Sequence, residues 1–283
     1  MKIGVNYFVT DYGIDIRELA KALEDRGFDA LFIPEHTHIP TSRKTPFPGG
    51  GDLPKRYAHT HDIFVALSFA AAATKKLMLG TGICLLPQHE PIVTAKVIAS
   101  LDQLSNGRFI FGIGGGWNVD EMENHGVQYK TRFRQMREHV LAMKAMWTQE
   151  AGSFHGEFVK LDPVWSYPKP LQKPHPPILL GGESDYTLKR IVDYCDGWLP
   201  RPRPGVDLLE GVAKLRRMAG EAGRKPQSIL VTVFSAPPDP ATLASYEKAG
   251  IERASFGLPD AGRDEILRKL DEWAPLAQQR KAA

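Results

Sequence analysis

Short runs of β-branched and aromatic residues alternate along this chain with stretches whose apolar positions recur every three or four residues. A short apolar run marks a strand buried on both faces, and the three-four spacing marks one face of a helix. Residues 3–8 read as a first strand. In the stretch that follows, Ile16, Leu19, Ala20 and Leu23 share a helical face, Asp15 and Glu18 make a start like a capping box, and Gly27 suits the left-handed position that ends a helix. Further strands are expected at 30–33, 78–86, 108–113, 178–180, 197–199, 229–234 and 254–256. Helices are expected at 62–73, from Pro91 to about 107, at 131–147 and after Ser184. The joint of helix, Gly27, Phe28, two residues and strand recurs at Gly250 and Ile251, as a repeated βα unit requires. Eight parallel strands with no antiparallel pair close most naturally into one α/β domain over 1–283, a (β/α)8 TIM barrel whose chemistry lies at the C-terminal strand ends. A doubly wound open sheet is the alternative.

Two segments interrupt the rhythm. Residues 34–59 are rich in Pro and Gly and too long for a simple connection, which suggests a lid or binding loop inserted at the C-terminal face. Residues 151–177 carry repeated prolines that forbid helix and interrupt any central strand, so they read as a surface excursion.

Composition narrows the classes. The chain is 42% hydrophobic and 24% charged, the balance of an ordinary globular protein. A net charge of +3 is too small and too dispersed for nucleic acid, and the basic spots at Arg43-Lys44, Lys55-Arg56 and 132–137 read as solvated faces. Cys84 and Cys195 stand apart without a CxxC, which fits a reducing compartment. Asp11, Asp15, Arg17 and Glu18 occupy the place where a secretory signal needs an apolar run, and no 18-residue apolar stretch exists. The expectation is a cytoplasmic protein with no membrane partner.

The candidate chemistry begins at FIPEHTHIP, residues 32–40, where an apolar strand stops at Glu35, His36 and His38. With His59 and His61 the chain has two H-x-H pairs, a spacing that can place two imidazoles together for zinc. The later strand ends read GGES, LPRPR, FSAPP and FGLPD and offer no further histidine, so no metal is assigned. The glycine-rich GIGGGWN, 112–118, fails the dinucleotide fingerprint, because Trp117 stands at the third glycine and the expected acidic residue falls within a helix. Its glycines still imply close approach to the backbone. GGES, 181–184, exposes amides before a helix and is either a phosphate seat or a tight turn with an ordinary Ser cap. In GTGICLLPQHEP, 80–91, two glycines and a proline predict an irregular strand end.

Together FIPEH, LGTGICLLPQHEPIVTAKVIASLDQLSNGRFIFGIGGGWNVDE, FHGEFV with PKPLQKPHPPILLGG, and CDGWLP resemble the luciferase-like family of flavin and deazaflavin oxidoreductases. The nearest likeness is to its coenzyme F420-dependent branch; the last eighty residues match only by their βα rhythm. The resemblance implies a barrel with the cofactor ring across its C-terminal mouth and a non-proline cis peptide at Gly82-Ile83 backing that ring. His36 falls where deazaflavin relatives carry a histidine near the reacting carbon. An imidazole there can carry the proton that accompanies hydride transfer. Glu35, where an aspartate is common, joins it as a catalytic candidate. Gly115 and Gly116 are implied to let the cofactor pass close, with Trp117 at its edge, and Gly181, Gly182 and Ser184 to hold its phosphate. Sugar-phosphate dehydrogenases of the family carry an acidic residue where Trp117 stands, which argues against that activity. The implied reaction moves a hydride between F420 and a small organic substrate held under the 34–59 loop. The alternatives are an FMN-dependent monooxygenase served by a separate flavin or F420 reductase, and a noncatalytic cofactor-binding protein. A homodimer is expected.

Overall fold

The computed structural model describes residues 1–281. Eight parallel strands close a barrel: β1 (Lys2–Asn6), β2 (Ala30–Ile33), β3 (Met78–Thr81), β4 (Phe109–Ile113), β7 (Ile178–Gly181), β8 (Gly197–Leu199), β9 (Leu230–Val233) and β10 (Arg253–Gly257), the last pairing with β1. The helices α1 (Ile16–Asp25), α2 (Ile63–Ala73), α3 (Pro91–Leu104), α5 (Arg132–Thr148), α6 (Asp185–Tyr194), α7 (Leu208–Glu221), α8 (Pro240–Lys248) and α9 (Arg263–Lys281) alternate with them. A short α4 (Val119–Asn124) follows β4. The expected (β/α)8 barrel is therefore the observed fold.

Local chemistry explains the starts and stops of the helices. Asp15, Asp62, Glu90, Ser184, Asp207 and Asp239 each accept a hydrogen bond from a backbone N–H of the turn they precede. Such a cap stabilises a helix by about 1 kcal/mol. Gly27 and Gly250 end α1 and α8 with φ of 84° and 69°, which bears out the repeated joint.

Two apolar layers hold the barrel. Inside it, Ala30, Phe32, Ile110, Leu179 and Leu199 pack together, with Phe234 closing toward the C-terminal end. Outside it, the opposite faces of the strands, such as Val5, Leu31, Phe109, Phe111 and Val231, meet the inner faces of the helices. Alternation along each strand divides the two layers. At the N-terminal end the Arg108 guanidinium donates to the carbonyls of Ala71, Thr74, Leu77 and Ser105, and Arg253 pairs with Asp29. Polar groups on this face are spent on holding the barrel shut.

Two expectations need correction. The excursion 151–177 holds an antiparallel hairpin, β5 (Gly152–His155) with β6 (Lys160–Val164). Its prolines interrupt no central strand because the hairpin lies outside the barrel sheet, and Glu138 of α5 accepts the backbone N–H groups of Glu157, Phe158 and Val159 in its turn. The strand expected over 78–86 stops at Thr81. Beyond it come the Gly82-Ile83 cis peptide, at the predicted bond, a single bridge from Cys84 to Ile113 and a 3-10 turn at Leu86–Gln88.

Candidate active site

A cavity of about 720 Å³ opens at the C-terminal end of the barrel. Every residue singled out from the sequence as catalytic or cofactor-binding lines it: Glu35 and His36 after β2, Gly82 and Ile83 after β3, Gly115, Gly116 and Trp117 after β4, and Gly181, Gly182 and Ser184 after β7. The barrel brings these four strand ends together although they are spread over 150 positions of sequence.

One end is built around two pairs of imidazole and carboxylate, one buried and one partly buried. His36 Nδ1 lies 2.8 Å from Glu121 Oε2, and His89 Nε2 lies 2.8 Å from Glu35 Oε1. The second Glu35 oxygen accepts the Leu85 backbone N–H at 2.6 Å, so Glu35 ties the segment after the cis peptide to the end of β2. Burial works against a charged His89, but the hydrogen bond and charge of Glu35, with Asp62 farther off, outweigh it and raise the His89 pKa above its ordinary value.

Above His36 stands a group of aromatic side chains. Its ring centroid is 5.1 Å from that of Tyr57 and 5.8 Å from that of Trp117, while Phe8 and Phe47 pack on Tyr57 at 4.8 and 5.2 Å. Phe47 and Tyr57 come from the long 34–59 loop, which is therefore a wall of the cavity. Helix α4 fastens that loop. Asp120 accepts hydrogen bonds from Ser42, the Lys44 N–H and Thr45, Thr37 meets His125 at 2.8 Å, and His38 meets Asn124 at 2.9 Å.

The paired histidines of the sequence do not converge. His36 turns to Glu121, His38 to Asn124 and Thr37, and His59 to Asp11. Among the described residues the group with ligand atoms close enough for a metal is Glu35, Cys84 and His89, and there both carboxylate oxygens already hold protein hydrogen bonds.

The other end is cationic. Arg132 and Arg190 lie over the Phe133 ring with their guanidinium carbons 4.3 and 3.9 Å from its centroid, beside the amino end of α6. Burial, with the like charge of Arg190 acting in the same direction, lowers the Arg132 pKa, and its Nε is buried without a partner. Neither guanidinium has a carboxylate partner among the described residues. Ser184 caps α6 by accepting the Thr187 N–H at 3.2 Å, so its tight-turn role is real, and its Oγ also lies 3.1 Å from the Thr187 hydroxyl. Glu183 also lines the cavity, accepting the Arg201 N–H and pairing with Arg203 at 3.4 Å; burial raises its pKa and Arg203 opposes the rise.

The glycines after β4 have a different immediate reason from close ligand approach. A Cβ on Gly115 would come within 2.7 Å of the Phe133 ring, and Gly116 has φ of 74° with Met122 equally near. They let side chains of this chain pack against the strand end. Glu121, Arg132, Arg190, Tyr57 and Phe234 were not singled out from the sequence as site residues. In the sequence Glu121 is only the last letter of GWNVDE, and Arg132 has the look of a solvated face, because a guanidinium lying on an aromatic ring leaves no periodic signature.

Residues 11–250 match the family model described as luciferase-like monooxygenase. The chain is 41% identical over 280 residues to an uncharacterized protein of Mycobacterium tuberculosis, covering 97% of this chain and 98% of that one. Among solved structures it resembles a monooxygenase from Streptomyces bottropensis (TM-score 0.76, 21% identity, 99% of this chain and 100% of the other). It also resembles the coenzyme F420-dependent tetrahydromethanopterin reductase of Methanopyrus kandleri (TM-score 0.72, 19% identity, 96% and 97%). At such identities the structures speak for the fold, and the extent of the family match speaks for kinship: the chain belongs to the luciferase-like monooxygenase family.

Proposed function

We propose that this protein is a coenzyme F420-dependent oxidoreductase that moves a hydride between the deazaflavin and a small organic substrate. The observation that carries the reading is the polarity of one cavity: an imidazole with a free ring nitrogen at one end, and two guanidiniums without carboxylate partners at the other. A redox cofactor with a flat ring and an anionic tail meets complementary chemistry at both ends.

The residues fit such a group. Arg132, Arg190, the α6 amino end and the Ser184 hydroxyl would hold the anionic tail, and the orphaned Arg132 Nε supports that assignment. Ile83 and the glycines at 82, 115 and 116 line the middle. When bound, the deazaflavin supplies hydride chemistry at its C5 carbon. His36 holds or releases the accompanying proton, and Phe8, Tyr57 and Trp117 exclude water from the substrate side. Glu35, with both oxygens engaged, serves as the brace that sets the strand end carrying His36.

The fold neighbours include a monooxygenase, so FMN-dependent oxygenation with a separate reductase is the second reading. An anaerobic binding titration separates the two, with F420 and FMN in parallel. Micromolar or tighter binding of F420 alone supports the proposal; a preference for FMN, with oxygen consumed on reduction, overturns it. The reading includes a homodimer, for which the exposed Val65 and Phe69 on α2 and Ile92 and Val93 on α3 supply apolar surface. Among the described residues no helix is long and apolar enough to cross a membrane.

A further inference from the structure

We propose that Glu121 is the positioning residue of this site: it fixes His36 as the Nδ1–H tautomer and so presents a bare Nε2 to the cavity. The inference rests on the reading of His36 as the proton-carrying residue, and it adds the group that decides which ring nitrogen does so.

The Glu121 side chain is fully buried, and its Oε2 lies 2.8 Å from His36 Nδ1. An ionised carboxylate only accepts hydrogen bonds, so the proton of that contact sits on Nδ1. A neutral imidazole has one N–H, and the hydrogen bond made by one nitrogen sets the state of the other. Nε2 is then a lone pair, and among the described residues it meets no protein hydrogen-bond donor. The opposite tautomer would set the Nδ1 lone pair against a carboxylate oxygen at hydrogen-bond distance.

A structural brace is the competing explanation, since the contact joins α4 to the segment after β2. That duty is already met several times over, by Thr37 with His125, by His38 with Asn124 and by the three groups that Asp120 holds. None of those contacts places a carboxylate in the interior. Glu121 does, and at a cost, because its Oε1 is buried with no partner. An unmet buried acceptor costs about 1–3 kcal/mol, more when charged. A neutral side chain would brace the loop without burying a charge. A carboxylate has the further property of stabilising positive charge on the ring when Nε2 takes a proton. In the proton step a substrate O–H or N–H bond breaks, an Nε2–H bond forms, and the new charge faces Glu121; the reverse step returns the proton.

The test reads the ring directly and needs no cofactor. With 15N-labelled histidine, long-range 1H–15N correlation of the full chain near pH 8 reports both ring nitrogens, and His36→Gln identifies the signals. The expected wild-type pattern is protonated Nδ1 and bare Nε2, and Glu121→Ala should move the ring toward the Nε2–H form that free histidine prefers. A wild-type ring that is Nε2–H, or doubly protonated at that pH, overturns the proposal, as does an unchanged tautomer in Glu121→Ala. If that variant does not fold, the wild-type pattern alone decides. Turnover in Glu121→Ala should fall roughly 10- to 100-fold, the usual loss when a residue orienting a functional imidazole is removed, with cofactor affinity held. Failure of the F420 titration would leave the tautomer result standing, so the two readings fail separately.

Discussion

The two ends of the cavity contrast in how they satisfy their charges. At the His36 end each titratable group has a partner within the chain: His36 has Glu121, and Glu35 has His89 and the Leu85 amide. At the α6 end two guanidiniums share an aromatic ring, have no carboxylate partner among the described residues, and one has a buried Nε with nothing to bind. Folding pairs each of these imidazoles with a carboxylate at the first end and leaves the two guanidiniums at the second without a carboxylate partner among the described residues. Partly buried like charges are tolerated when a bound anion offsets them, whereas proton carriers need a fixed geometry before the substrate arrives. Under the proposed function, the chemistry belongs to the first end and recognition to the second.

The most severe way to break that division is His36→Ala. Turnover should fall about 10²- to 10⁴-fold, the range general acid–base groups supply, while a fluorescence titration shows cofactor affinity changed by less than about threefold. An equal loss in both would merge the two ends into one binding surface. Arg132→Ala and Arg190→Ala should each weaken cofactor binding by roughly 10- to 100-fold, as loss of a charge-assisted hydrogen bond does, and should leave the His36 tautomer unaltered. Because these groups act by charge, added salt should weaken wild-type binding more than binding by either variant.

A smaller effect sharpens the contrast from the stability side. The His89 pKa is raised in the folded state, so its pairing with Glu35 stabilises the fold fully below the unfolded value of about 6.5 and is lost as pH rises through the folded value. His89→Ala should cost about 1.5–3 kcal/mol near pH 6, with the gap from wild type narrowing toward pH 9, measured as denaturant midpoints. The smallest effect is expected at Asp120. Asp120→Ala releases Ser42, Lys44 and Thr45 and should raise KM a few-fold with kcat nearly unchanged, read from steady-state kinetics.

Much of this was legible along the chain. The βα rhythm, the capping residues and the repeated Gly27 and Gly250 joints are local signals, and they recovered the barrel because neighbours in sequence produce them. The hairpin at 152–164 escaped the same reading. Its strands are short, its prolines argue against a sheet, and Glu138 organises its turn from another element. The site was half legible: each strand-end motif was found, and the partners were not. Glu121 lies 85 positions from His36, and nothing in GWNVDE says which of its two acids turns inward. Asp120 turns outward to latch the loop and Glu121 inward to the imidazole, a choice made by which face of α4 meets the barrel.

The sequence by itself determined the alternation of elements, their caps and the strand ends that line the cavity, because each depends on spacing within a few residues. Only the tertiary structure decided the pairing of His36 with Glu121, the use of Glu35 as a brace and the exposure of Arg132 and Arg190 to one cavity. Those depend on closing the barrel, which sets groups far apart in the chain within hydrogen-bond distance in a medium where an unpaired charge is costly.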